Sequence, residues 1–282
     1  MTQRRMADQL PPDELRALRP QVPENLKNVR TILVEPKEPG NIGSVARALN
    51  AMGLSDLWIV RPQTPWRNSS EARKFAMNSL EVLNNAQEVD SLDEAIADLH
   101  LLIGTTNRRR MRRLPQPIPA REAAQLIAQV SQEQRVGILY GREDWGLSNE
   151  DLARCQVIAT IPQAKRNPSL NLAQAVQVFA YEIFLASVGE VPRPPFHRAE
   201  LRDYEALTHR VLQLLRRVGF RPMNDDWSSI DYALRRVLGR VPLERRDLEV
   251  LMKICHDVEE YIERHTPAAP VASESANPCE SG

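Results

Sequence analysis

Five short runs of apolar, β-branched residues punctuate the first two thirds of the chain: Val29–Val34 (VRTILV), Leu57–Val60 (LWIV), Leu101–Gly104 (LLIG), Val136–Tyr140 (VGILY) and Gln156–Ile161 (QVIATI). Such runs are the mark of strands buried on both faces of a parallel sheet. Between them the apolar positions recur at three- and four-residue spacing. This predicts helices over Ile42–Met52, stopped by Gly53, then Ser70–Leu83, Ser91–Leu99, Arg121–Gln129, Asn149–Ala153 and Asn171–Val188. Strand–helix alternation with short links predicts an α/β fold, a mostly parallel sheet with helices on both faces.

The rhythm changes at Glu190–Phe196 (EVPRPPF), where three prolines in seven residues forbid a regular helix. Beyond this linker the pattern is all helical. One stripe runs from Leu201 through Tyr204, Leu207, Val211 and Leu214 to Val218, a second carries Ile230, Ala233, Leu234, Val237 and Leu238, and a third carries Leu248, Leu251, Ile254, Val258 and Tyr261. The expected division is a flexible arm over 1–27 with one short helix near Asp13–Leu18, a sheet domain over 28–189, a linker over 190–197, a small helical domain over 198–265 and a disordered tail over 266–282.

Composition narrows the class. The chain has 282 residues, 42% hydrophobic and 26% charged, with a formal net charge of zero. Any case for a polyanionic partner must therefore rest on local clusters. No apolar run is long enough to cross a bilayer and the N-terminus lacks a signal-peptide core, so a cytoplasmic location is expected. Cys155, Cys255 and Cys279 lie far apart with no metal-ligand spacing, which predicts neither a disulfide framework nor a metal site.

Three loops at the carboxyl ends of strands, where ligands collect in open α/β sheets, carry the candidate chemistry. The first, Gly40–Arg47 (GNIGSVAR), offers Asn41 as a helix cap and places Arg47 opposite the stripe of Val45, Leu49 and Met52. The second, Tyr140–Leu147 (YGREDWGL), holds a charged triplet between two glycines and puts Trp145 at its apex, hinting at a contact surface. The third, Ile161–Asn171 (IPQAKRNPSLN), runs into the long helix, with Ser169 and Asn171 near its start. Neither the G-x-G-x-x-G fingerprint nor a phosphate loop is present, which disfavours a dinucleotide enzyme.

Together, NIGSVARALNAMG, LYGREDWGLSNEDL and IPQ followed by NPSLNLAQAVQVFAYEI resemble, in order and spacing, the signature motifs of the SPOUT superfamily of RNA methyltransferases. The resemblance runs from about Val29 to Val188 and is nearest to the TrmH-like ribose 2′-O-methyltransferases, within them to those that modify nucleotide 32 of the tRNA anticodon loop. It implies a C-terminal trefoil knot, an exception to unknotted connectivity, a homodimer and S-adenosylmethionine as cofactor, with no metal. The implied cofactor contacts are Thr105, Gly141, Arg142, Glu143, Gly146, Leu147, Ile161, Ser169 and Leu170. The implied catalytic set is Arg47 with Asn41, Glu143, Ser169 and Asn171.

Local charge marks the expected RNA contacts. Arg108, Arg109, Arg110, Arg112 and Arg113 form one basic run, and Lys165 and Arg166 a smaller one. Further arginines, Arg216, Arg217, Arg221, Arg235, Arg236 and Arg240, lie in the helical region, which has as many acids as bases and equally suits a structural or dimerising role. Two other readings stay open at this point: the same reaction on ribosomal RNA or another tRNA position, and a non-catalytic RNA-binding protein on the same scaffold.

Overall fold

The computed structural model describes residues 21–107, 116–164 and 170–265. The strands are β1 (Val29–Val34), β2 (Asp56–Val60), β3 (Gln87–Val89), β4 (Leu101–Thr105), β5 (Ile118–Pro119), β6 (Val136–Tyr140) and β7 (Val157–Thr160). They form one sheet in the order β3-β2-β1-β6-β4-β7-β5, and every pairing is parallel. All five expected strands are present. The two extra ones are short edge strands.

Among the described residues seven helices cover this sheet: α1 (Pro39–Ala51), α2 (Ser70–Ala76), α3 (Leu80–Asn85), α4 (Leu92–Ile96), α5 (Ala120–Val130), α6 (Asn149–Ala153) and α7 (Leu172–Ser187). Successive strand side chains point to opposite faces, and the core divides accordingly. Val29, Leu33, Ile138 and Tyr140 join Val45, Ile127, Val176 and Phe179 of α1, α5 and α7 on one face. Ile32, Val34, Leu102 and Leu139 join Ile96 of α4 and Leu152 of α6 on the other.

Three local expectations are corrected. The helix expected from Ile42 starts at Pro39, because proline lacks an N–H and presets φ for a first helical turn; Asn41 therefore lies inside α1 and is not its cap. The single helix expected over Ser70–Leu83 breaks at Met77 (φ 50°, ψ −121°) into α2, a 3₁₀ turn and α3. The break lets both pieces lie along α1, where Gly43 makes room for the Ala72 carbonyl and Asn50 Nδ2 donates to Ser79 Oγ at 3.0 Å. The end of the expected arm is tied down: Glu24–Asn28 form a 3₁₀ turn, Leu26 is buried, and Asn25 Nδ2 donates to Ser131 Oγ at 2.8 Å and Ser187 Oγ at 3.1 Å. The short helix expected near Asp13–Leu18 and the tail over 266–282 lie outside the described residues.

Residues 190–200 carry neither helix nor strand. Three helices follow, α8 (Leu201–Arg217), α9 (Trp227–Arg240) and α10 (Arg245–His265). They do not stand clear of the sheet. Ala199, Leu201, Tyr204 and Leu207 share a core with Ile96, Leu99 and Leu152, and the Leu201 N–H donates to the Leu99 carbonyl at 2.8 Å. Around this contact runs a charged chain. Arg154, after α6, pairs with Asp93 of α4 and with Glu205 of α8, the latter at 2.8 Å. Glu205 also pairs with Arg235 of α9, which binds Asp231 at 2.8 Å. Arg235 is thus engaged within the protein.

Candidate active site

Parallel strands end together, so the loops after β1, β4, β6 and β7 share one edge. The loop after β6 is the tightest. A Cβ on Gly141 would sit 2.1 Å from the Gly146 carbonyl carbon and 2.2 Å from the Leu147 nitrogen, so only glycine fits. The Gly146 N–H donates to the Arg142 carbonyl at 2.8 Å, with Gly146 at φ +68°, the left-handed region glycine favours. Leu147 is buried in the second core, and Ser148 caps α6 through a reciprocal pair of bonds with Asp151. Residues 142–146 thus form a closed, anchored turn.

That turn is joined to the other loops by one carboxylate. Glu143 accepts from the Lys37 N–H at 3.1 Å and, through Oε1, from the Glu38 N–H at 3.3 Å and Asn41 Nδ2 at 2.9 Å. Asn41 Oδ1 in turn accepts from Asn171 Nδ2 at 2.8 Å. Asn171 is the N-cap of α7, its Oδ1 taking the Ala173 N–H at 2.9 Å, with Gln174 completing a capping box. Residues more than a hundred positions apart thus lie in one hydrogen-bonded junction. Because Asn41 is not needed as a cap, its amide can bridge the other two loops.

A ladder of alternating charge runs beside the junction. Arg61 binds Glu35 at 3.1 Å, Glu35 faces Arg142 at 3.5 Å, Arg142 holds both oxygens of Asp144 at 3.0 Å, and Asp144 pairs with Lys37. The Arg142 guanidinium first, and Lys37 after it, hold the Asp144 carboxyl well below the usual carboxylate range. Glu35 (φ 51°) and Arg61 (φ 45°) are both non-glycine residues in the left-handed region, at the ends of adjacent strands. Strain of this kind collects at functional sites.

The loops after β4, β6 and β7, with the first turns of α7, enclose a cleft of about 200 Å³; Asn41 and Asn171 stand behind the Glu143 turn and do not line it. Of the expected cofactor contacts, Thr105, Gly141, Arg142, Glu143, Gly146, Leu147, Ile161 and Leu170 line it. Ser169 lies outside the described residues, as do Lys165, Arg166 and the arginines at 108–110, 112 and 113. Thr105 Oγ1 donates to the Leu139 carbonyl at 2.8 Å, which fixes the end of β4 against β6. The floor was not foreseen. It is made by Tyr140 and Phe179, edge to face at 5.9 Å, with burial pushing the Tyr140 phenol up. In sequence both belong to ordinary apolar stripes. Thr106, Asn107, Asp144, Trp145 and Gln163, also on the cleft, are simply further positions of the same loops.

Arg47 is not brought to this cleft. It is exposed on α1, does not line the cavity and makes no ion pair with any described residue. Among the described residues no cluster of His, Cys, Asp or Glu could hold a metal ion, and no helix is long and apolar enough to cross a membrane.

A test of the junction is Glu143→Gln, which would turn an amide donor toward the Lys37 or Glu38 N–H. These N–H groups are only partly shielded from water, so losing the bond costs about 0.5–1.5 kcal/mol, the net worth of one hydrogen bond. Chemical denaturation is expected to show a loss of that order, and an unchanged midpoint would mean the junction bears no load.

Residues 28–181 match the model of the SpoU rRNA Methylase family. The chain belongs to the SpoU methylase family. Its similarity to individual family members extends past the matched segment. It is 36% identical over 241 residues to the tRNA (cytidine/uridine-2′-O-)-methyltransferase TrmJ of Pectobacterium atrosepticum, spanning 83% of this chain and 98% of that one. The TrmJ of Klebsiella pneumoniae is also 36% identical, with the same coverage. Among solved structures, TrmJ from Z. mobilis ZM4 superposes with a TM-score of 0.73 at 32% identity, covering 82% of this chain and 98% of that chain. A putative methylase family protein from Neisseria gonorrhoeae superposes at 0.62 with 33% identity, covering 68% of this chain and 98% of its own. The parallel sheet and the helices that cover it are therefore the SpoU methylase architecture.

Proposed function

We propose that this protein is a tRNA (ribose 2′-O-)methyltransferase that uses S-adenosylmethionine. The observation that carries the reading is the Glu143–Asn41–Asn171 junction, which ties the turn lining the cleft to the start of α1 and the N-cap of α7, in a chain alike to TrmJ over nearly the whole TrmJ length. The finer readings are methylation of cytidine or uridine at nucleotide 32 of the anticodon loop and a cytoplasmic location, where tRNA is met. To these we add a C-terminal trefoil knot, supported by the packing of α7 against α1 and α5.

The cleft fits the cofactor. Leu147, Ile161, Leu170, Leu172 and Phe179 offer apolar walls for an adenine, while the open side of Gly146, with nothing within 4 Å of a notional Cβ, leaves backbone groups accessible to polar atoms. When bound, S-adenosylmethionine supplies an electrophilic methyl group. What remains is to align and polarise a 2′-hydroxyl, a weak acid and a poor nucleophile. Asn41, Glu143 and Asn171 hold the loops rigid around that position. Arg47 stabilises the developing alkoxide or an adjacent phosphate as a fixed positive charge; a guanidinium stays protonated far above neutral pH, so a general-base role is physically unfavourable. Ser169 orients cofactor or ribose. Arg108, Arg109, Arg110, Arg112, Arg113, Lys165 and Arg166 contact RNA phosphates.

The protein acts as a homodimer with its sites beside the subunit interface. Tyr181, Leu185 and Val188 form an exposed apolar stripe on and just beyond α7, which packs against α1, the helix bearing Arg47. An arginine outside the cleft of its own chain is what a site shared between two copies requires. Sedimentation is expected at twice the chain mass, and at one chain mass for Tyr181→Glu with Leu185→Glu; a monomeric parent would remove this reading.

The function is tested by incubating the protein with tRNA and labelled S-adenosylmethionine, then mapping the label by mass spectrometry. A ribose methyl in the anticodon loop, missing from tRNA of cells lacking this protein, is the expected result. Label on a base, or on ribosomal RNA only, would overturn it.

A further inference from the structure

Trp145 is 73% exposed, the most exposed aromatic among the described residues, and it lines the cleft. An indole so open to water is commonplace on a loose loop, but this loop is not loose. On one side Asp144 is held by Arg142 and Lys37. On the other the Gly146 N–H is bonded to the Arg142 carbonyl and Leu147 is buried in the core. The turn is braced on both sides of the one large apolar group it displays. The two buried aromatic rings of the cleft are Tyr140 and Phe179, which pack on each other, whereas the indole is left open to water. The structure therefore presents a flat, preordered π surface at the rim of the cavity.

We propose that Trp145 is the platform on which the base of the methylated nucleotide stacks. This rests on the reading of the cleft as a ribose methyltransferase site. A ribose brought to the methyl group of a cofactor held in the cleft carries its base one glycosidic bond away, within reach of a side chain on the cleft's border. Unpaired loop nucleotides are recognised by splaying the base onto an aromatic face. Stacking needs no particular pattern of donors and acceptors, because every base has a π face. A π platform therefore accepts cytidine and uridine alike, which fits an enzyme of the cytidine/uridine type. An indole has only two side-chain torsions to fix, and the turn already holds its backbone in place, so the ordering cost of stacking is small.

The test uses the full-length protein, tRNA, and an anticodon stem-loop RNA either intact or lacking the base of the target nucleotide. Trp145→Ala is expected to raise the RNA Kd and the KM for tRNA about tenfold, well beyond any change in S-adenosylmethionine affinity from trimming a residue on the cleft's border. Trp145→Phe restores most of the loss and Trp145→Leu does not, because bulk without a π face is not enough. Removing the base costs the parent protein the same factor and costs Trp145→Ala nothing further. The inference is overturned by unchanged RNA affinity in Trp145→Ala, by independent losses from the two deletions, or by loss of cofactor affinity in place of RNA affinity. Failure of the parent protein to methylate tRNA at all is read before any variant and brings down the proposed function, and this inference with it.

Discussion

Arg47→Ala is expected to lower methyl transfer by at least about a hundredfold, the usual cost of removing one preorganised group that stabilises developing charge. The same variant should melt where the parent melts. Arg47 is exposed and makes no ion pair with a described residue, and truncating such a side chain changes stability by no more than about 0.5 kcal/mol. Its affinity for S-adenosylmethionine should also be unchanged, because Arg47 does not line the cleft. The prediction is therefore a clean separation: catalysis lost, with fold and cofactor binding intact. Single-turnover transfer to tRNA, thermal melting and cofactor titration measure the three quantities. A variant with parental turnover would take Arg47 out of the mechanism.

The second large effect should come from one methyl group. Gly141→Ala places a carbon 2.1 Å from the Gly146 carbonyl carbon and 2.4 Å from its oxygen. Those atoms are backbone, in a turn already closed by its own hydrogen bond, so neither a rotamer change nor a bending side chain can relieve the clash. The turn must move, and with it Glu143, which joins the loops, and the groups lining the cleft. Overpacking of this kind costs about 1–3 kcal/mol or more, and displacing a site by about 1 Å can cost a hundredfold in rate. Methyl transfer should fall by at least about that factor, and cofactor titration should show weakened binding. Parental affinity in Gly141→Ala would mean that the loop is not rigid and that the close approach carries no function.

Much of this was legible in the chain because the buried strands advertise themselves. VGILY is almost wholly apolar, and VRTILV is apolar but for Thr31 and Arg30, the latter paired with Asp56 and Asp98; both lie fully buried side by side in the sheet. The edges are different. Gln87–Val89 and Ile118–Pro119 are too short for any period to show, and they exist because a neighbouring strand presents open hydrogen-bonding groups. The break at Met77 was hidden for a related reason: the residues from Ser70 to Leu83 have a helical pattern, and only the need to follow α1 interrupts it. In the site, the three loops could be chosen from glycines and charges, but the bonds among Glu143, Asn41 and Asn171 could not, since spacing along a chain carries no information about loops more than a hundred residues apart. Tyr140 and Phe179 escaped notice because a residue that floors a cleft has the same pattern as one that fills a core. Arg47 was placed on the outward side of its helix correctly, yet no periodicity tells how far that side lies from a cavity.

Three prolines between the sheet and the C-terminal helices suggest a hinge, and the packing denies it. Tyr204 and Leu207 share a core with Leu147, at the foot of the turn that bears Glu143, and Arg154, Glu205 and Arg235 rivet the same seam. The far helices are set at a constant distance from the cleft. A tRNA meeting this protein is therefore gauged against a fixed ruler, and nucleic acids whose shape places the target ribose a few ångströms away gain nothing from the protein bending to meet them.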